Sequence, residues 1–375
     1  MRVKFVTTYP PANCGIATYS EYYVRALKRL CDVAVIPIER PKINPLYFLG
    51  LIRKSRKDTD IVHVQFDCGF YGTAAIGPLS LSGMYAPAYY IFTRMLGGPS
   101  IVTTIHELPD VEKTYGGRLL YWPMKLYYTT IYRSLVALSD AVLVHTQGTI
   151  DILSQYSQTG RVEIVPHACF IVPVMLSPDE CRSRLGLNGK KVVTMFGFVS
   201  PFKGHDMAIE AMKSMPGDVV LFIAGDGRTP EDREYVSALK MKVDNMGLND
   251  RVIFHGYVKD EDSPAVMCAS DLILMPYRHV VQSGAMNFAL AYLKPVLASG
   301  MGGFAEVAGQ YGCVETFRPG DMGDMAEKLK ALLSDAKKTD SLREKAYAYR
   351  EDVSIESIAG KIVKIYERIL RKRSG

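Results

Sequence analysis

Residues 275–286, MPYRHVVQSGAM, gather a guanidinium (Arg278), an imidazole (His279), an amide (Gln282) and a Ser283-Gly284-Ala285 turn between an apolar run and an apolar helical pattern. A cation there can hold an anion. The amide can both donate to and accept from hydroxyls, and backbone N–H groups at a helix start can bind a phosphate or hydroxyl oxygen. FGFVSPFKGHD sets Gly197 at a strand end and Lys203 before a helix, where side-chain charge and helix dipole act together on a diphosphate. The plainer alternative is a solvated loop lysine. TTYPPANCGIATY leaves a strand through two prolines and opens a helix at Gly15 and Ile16, a place for an anion or a turn that merely needs glycine. VTTIHELPD puts His106 at a strand end, followed by Glu107 and Asp110. Such a histidine can donate a hydrogen bond or shuttle a proton, although a buried histidine satisfied by backbone is commoner. Gly225 follows a strand in IAGDGR, and Gly302-Gly303 precede Glu306 in MGGFAEV. That carboxylate can accept from a ligand hydroxyl or act as a capping-box acid. His63, His145 and His255 sit in strand patterns and read as structural.

Other chemistries lack support. There is no G-x-x-x-x-G-K-[ST] loop and no G-x-S-x-G elbow. The seven cysteines are scattered without a C-x-x-C pair, which gives no metal site and suits a reducing, cytoplasmic setting.

The elements that must position these residues alternate. Near-continuous apolar runs at 3–9, 32–38, 60–66, 100–106, 141–146 and 162–166 are separated by helical patterns, as buried parallel strands are. A second series follows at 191–197, 219–225, 251–256, 271–277, 295–299 and 313–316. Two such series predict an α/β protein of two doubly wound domains, with 1–170 and 171–350 as their limits and 351–375 as a terminal helix. In open α/β sheets ligands bind at strand C-terminal ends, where every candidate above falls.

The 375 residues carry 48% hydrophobic and 22% charged side chains and a net charge of +6, ordinary for a folded chain and too mild for a nucleic-acid binder. Residues 1–60 hold eleven cations against five anions, a solvated surface or a face for anionic lipid. MRVKFVTTYP is too short and interrupted for a secretory signal. LSLSGMYAPAYYIFTRML (79–96) suits lying on a membrane better than crossing one.

Taken in order, PPANCGIATY, DIVHVQF, VTTIHELPD, SDAVLVHT, VEIVPHA, FGFVSPFKG, AGDG, HGYV, MPYR with QSG, KPVLAS and GGFAEV resemble glycosyltransferase family 4. The resemblance implies the GT-B fold, two Rossmann-like domains facing a cleft, with the last helix returning to the first. It implies retaining transfer of a hexose, mannose or glucose, from a nucleotide sugar such as GDP-mannose or UDP-glucose, without cofactor or metal. A glycan or glycolipid acceptor, with peripheral contact at an anionic inner-membrane surface, is suggested by the basic start and by the Tyr-rich stretches 85–92 and 121–132, which an amphipathic core helix explains as well. His106, Lys203 and Gln282 take catalytic positions. Gly15, Ile16, Gly197, Gly225, Arg278, Ser283, Gly284, Ala285 and Glu306 take donor-binding ones.

Three departures stand out, one being that the segment from Gln282 to Pro295 is about two residues shorter than in members with the Glu-x7-Glu pattern. Phe198 occupies the place of the family's arginine after Gly197, and Arg278 is expected to replace it. Gln282-Ser283-Gly284 replaces the start of the Glu-x7-Glu pattern, and no glutamate follows before Pro295. These departures give a second reading, a non-catalytic subunit that binds a nucleotide sugar.

Overall fold

The computed structural model describes residues 1–12, 15–39, 44–71, 73–76, 79–95, 97–106, 108, 111, 119–169, 171 and 176–374. Cys14, Glu107 and Asp110 lie outside them. The chain divides into two compact units, Met1–His167 with Ile355–Gly375, and Ala168–Ser354.

The first unit is built on a parallel sheet of β1 (Arg2–Thr7), β2 (Asp32–Pro37), β3 (Ile61–Phe66), β6 (Ser100–Ile105), β7 (Ala141–Val144) and β8 (Val162–Ile164), in the order β2-β1-β3-β6-β7-β8. All six residues of the central β3 and β6 are buried, while edge strand β2 alternates between buried and exposed. That is why the central strands read as continuous apolar runs. A separate antiparallel pair, β4 (Thr73–Ile76) with β5 (Leu79–Ser82), has no counterpart in the sequence pattern. The 79–96 stretch is β5 followed by a nine-residue helix, Ala86–Arg94, whose Ala86, Tyr89, Tyr90 and Thr93 are buried. No helix among the described residues is long and apolar enough to cross a membrane.

The terminal helix Ile355–Ser374 belongs to this unit and packs on the Gly15–Leu27 helix. Its Ile358, Ile362, Ile365 and Ile369 are buried at helical spacing. Tyr366 reaches the core, where its hydroxyl is hydrogen-bonded to His63 Nδ1, and burial holds that imidazole down to a pKa of about 3.

The second unit repeats the plan with β9 (Lys191–Phe196), β10 (Val219–Ala224), β11 (Val252–Phe254), β12 (Leu272–Met275), β13 (Val296–Ser299) and β14 (Val314–Phe317). Its order, β11-β10-β9-β12-β13-β14, reverses direction between β9 and β12. Crevices for ligands form at such a switch point, and here it falls on the loops that carry Lys203 and Gln282.

Candidate functional site

In the second unit, four glycines let the loops beyond the strands close on one another. Gly197 ends β9 at φ +94°, and a Cβ there would lie 3.1 Å from Lys203 Nζ. Gly204, at φ +72°, sits against the Pro276 carbonyl, where a Cβ would come within 2.1 Å. Gly302, at φ +49°, would bring a Cβ to 2.0 Å from the Val280 carbonyl. Gly225 would bring one to 2.0 Å from the Gly197 carbonyl. The turns after β9, β10, β12 and β13 therefore form one continuous edge.

Lys203 is the reactive feature of that edge. Its ammonium stands 5.6 Å from the Tyr277 ring centroid and has no hydrogen-bond acceptor or ion pair among the described residues. Burial and the Arg228 guanidinium bring its pKa down to about 8, against the opposing pull of Asp232. Two other charged side chains of this edge, Arg278 and Asp206, are matched to each other. Arg278 makes a bidentate bridge to Asp206 at 2.9 and 2.6 Å and donates to the Pro201 carbonyl at 2.7 Å. Burial opposes ionisation of Asp206, but Arg278 and the Tyr235 hydroxyl hold its pKa down to about 2. Arg278, expected to supply the missing cation, is thus already engaged in clamping the Lys203 loop to β12.

Ser283 caps the Gly284–Ala291 helix, its hydroxyl accepting from Met286 N–H at 3.2 Å. Gly284 has open space around its Cα, and Ala285 follows in the first turn. Gln282 is half-buried in the residue before that cap. Glu306 lies in the second turn of the Gly302–Tyr311 helix, whose N-cap is Met301, so it is not a capping-box acid. The double glycine is not an open nest either, because Gly303 N–H donates to the Val281 carbonyl at 3.0 Å. Gly225 has a packing duty against Gly197.

In the first unit, the Gly15–Leu27 helix brings Tyr19, one turn beyond Gly15 and Ile16, to 5.8 Å from the His106 ring. A Cβ at Gly15 would meet nothing within 4 Å. His106 donates from Nε2 to Gln65 Oε1 and stands 5.2 Å from His145. Burial, reinforced by His145, His167 and His63, holds its pKa well below the usual value, so the ring is neutral at pH 7. His145 donates from Nδ1 to the Val165 carbonyl at 2.9 Å, which leaves Nε2 as a lone-pair acceptor, buried and without a partner among the described residues. With His167 at 5.1 Å and Tyr19 at 6.5 Å, it makes an imidazole cluster. The sequence pattern alone marks His145 as structural and does not single out His167 or Tyr19, since only the fold assembles residues 19, 106, 145 and 167. Among the described residues no group of three or more His, Cys, Asp or Glu is placed to hold a metal ion.

Known proteins share this architecture. Residues 179–349 match the family model of glycosyl transferases group 1. The 2-deoxystreptamine glucosyltransferase of Streptomyces kanamyceticus is 27% identical over 327 residues, covering 85% of this chain and 80% of its own. The GDP-mannose-dependent alpha-(1-6)-phosphatidylinositol monomannoside mannosyltransferase of Mycolicibacterium smegmatis is 26% identical over 286 residues, covering 74% of this chain and 66% of its own. Among solved structures, Anabaena HepE in complex with UDP superposes with a TM-score of 0.77 at 17% identity, over 98% of this chain and 100% of its own. The two parallel six-stranded sheets are those of the GT-B fold. The chain thus has the GT-B fold and is similar, over residues 179–349, to the group 1 glycosyltransferases.

Proposed function

We propose that this protein is a glycosyltransferase that moves a hexose from a nucleoside diphosphate sugar to a glycan or lipid-linked acceptor, with retention of anomeric configuration and without a metal. The observation that carries the reading is Lys203: a half-buried ammonium with no acceptor among the described residues, poised over Gly197 at the switch point of the second sheet. A diphosphate supplies the missing negative charge, and the same contact strengthens as the leaving group gains charge. The N–H groups at Ser283, Gly284 and Ala285 are further hydrogen-bond donors to oxygens of the nucleotide sugar. Gln282 bonds hydroxyls of the transferred sugar, and Glu306 accepts from a hydroxyl of the nucleotide. His106, neutral, serves as a hydrogen-bond group rather than as a cation.

The donor is GDP-mannose or UDP-glucose. Similarity to a glucosyltransferase and to a GDP-mannose-dependent enzyme supports each equally. Calorimetric titration of the full chain with GDP, UDP, ADP and their hexose conjugates, in chelator, tests the reading. One nucleotide series should bind, and Lys203→Ala should weaken it about tenfold to a hundredfold, the value of a charge-assisted hydrogen bond. No binding by any of them refutes it. Incubation of the bound labelled donor with cell extract, followed by partition into organic and aqueous phases, then separates a lipid-linked from a soluble acceptor. Tight binding without transfer into either phase favours the non-catalytic reading, for which the neutral Gln282 amide is the reason.

A further inference from the structure

Arg228 is a second cation at the same edge. It lies in the turn after β10, is exposed, and has no ion pair among the described residues. Its guanidinium carbon stands 5.3 Å from the Phe198 ring centroid. Phe198 follows Gly197 and is itself 40% exposed, with the Tyr257 ring stacked 6.5 Å away. Leaving a phenylalanine in water forgoes its burial, and here the exposed ring acts as a shelf for the cation.

The backbone fixes this pairing. Gly197 N–H donates to the Ala224 carbonyl and Val199 N–H to the Asp226 carbonyl, both at 3.0 Å, on either side of Phe198. Gly225 packs directly on Gly197. The turns that carry Phe198 and Arg228 are thus stitched into one piece, and Lys203 Nζ lies over the same Gly197. Asp232, whose charge Lys203 feels, is occupied as a cap, accepting from Thr229 N–H at 3.2 Å and from Ser200. Arg228 also contributes to the depressed proton affinity of Lys203, so the two charges feel each other. Like charges held together are unfavourable in the empty protein, a cost that a bound anion reverses.

We propose that Arg228, seated on Phe198, is the second cation of the Lys203 site and binds the diphosphate of a nucleoside diphosphate ligand. This rests on the donor-binding reading above. An arginine at position 198 would start from where the Phe198 ring begins; in this chain the ring stays and the charge arrives from the next turn. A guanidinium suits the task because its fork can grip two phosphate oxygens at once.

The test is titration of the full chain with UDP, GDP and the parent nucleosides at two salt concentrations. Arg228→Ala should weaken the bound nucleoside diphosphate about tenfold and flatten its salt dependence, leaving the nucleoside unchanged. Phe198→Ala should lose less, because the guanidinium remains but its shelf is gone. The double variant F198R/R228A should regain most of the affinity, which a merely structural role for Arg228 would not allow. If wild type binds and Lys203→Ala weakens it while Arg228→Ala binds like wild type, Arg228 is excluded and the donor-binding reading stands. If wild type binds no nucleoside diphosphate, both fall.

Discussion

At the scale of the residue, the site turns on which charges are already matched. Arg278 looks available in the sequence, yet Asp206 and the Pro201 carbonyl hold it. Lys203 looks like any loop lysine, yet burial and a neighbouring guanidinium draw its pKa to about 8. The sign of the resulting pH dependence is fixed. The ammonium is the form that binds an anion, and it is complete well below pH 8. A bound diphosphate raises the pKa, so affinity is lost as pH rises through 8 toward the higher value of the complex. Dissociation constants for the bound nucleoside diphosphate at pH 7, 8 and 9 should be level at first and then rise severalfold, approaching tenfold per unit. Lys203→Arg should remove the trend, since a guanidinium stays charged. A flat wild-type profile would dissociate Lys203 from the phosphate.

At the scale of the element, strand ends and turns decide what the glycines do. Gly225 and Gly15 both follow a strand and both read as anion-facing. Only the structure separates them, because a Cβ at Gly225 would meet the Gly197 carbonyl at 2.0 Å while one at Gly15 meets nothing. Gly225→Ala must push the ends of β9 and β10 apart. It should cost about 3 kcal/mol, at the upper end of overpacking penalties, and lower the urea midpoint accordingly. Gly15→Ala should leave that midpoint within experimental error. Equal midpoints for the two variants would show that the strand ends relax freely. The helix Tyr121–Leu138 gives a similar lesson: its tyrosine-rich stretch suggests a membrane face, but Tyr128 and Tyr132 are buried in the core and Trp122 points outward at 76% exposure.

At the scale of the whole molecule, the chain leaves the second unit at Ser354 and completes the first with Ile355–Ser374. Burial of Ile358, Ile362, Ile365, Tyr366 and Ile369 contributes roughly 1.5–3 kcal/mol each. The sum is comparable to the entire stability of an ordinary domain. Arg368 pairs with Glu163, and Arg373 donates to the carbonyls of Gly97 and Gly98, at 3.1 and 2.8 Å, which ties the helix end to the same unit. Truncation after Ser354 should therefore expose the first unit to protease while fragments of Ala168–Ser354 persist. Limited proteolysis with mass spectrometry reads this directly, and a truncated chain as resistant as the full one in residues 1–167 would contradict it.

Much of this is legible in the sequence, for a physical reason. Strands buried on both faces must be apolar throughout, so the central sheet strands appear as continuous runs, and the alternation with amphipathic segments marks the α/β class. The ordered motifs mark the resemblance to the group 1 glycosyltransferases. The hairpin β4–β5 escapes because two four-residue strands outside the main sheets leave no comparable run. Strand order is not legible, since both sheets have similar βα repeats but reverse at different points, β1/β3 in one and β9/β12 in the other. Nor is the pairing of charges. Local spacing names the candidates at a strand end, but whether Arg278 is spent on Asp206, whether Arg228 reaches Phe198, and whether His145 meets His106 depend on residues 30 to 72 positions apart in the chain. Local residue chemistry determined what could bind at these edges; only tertiary packing decided which side chains were left to do it.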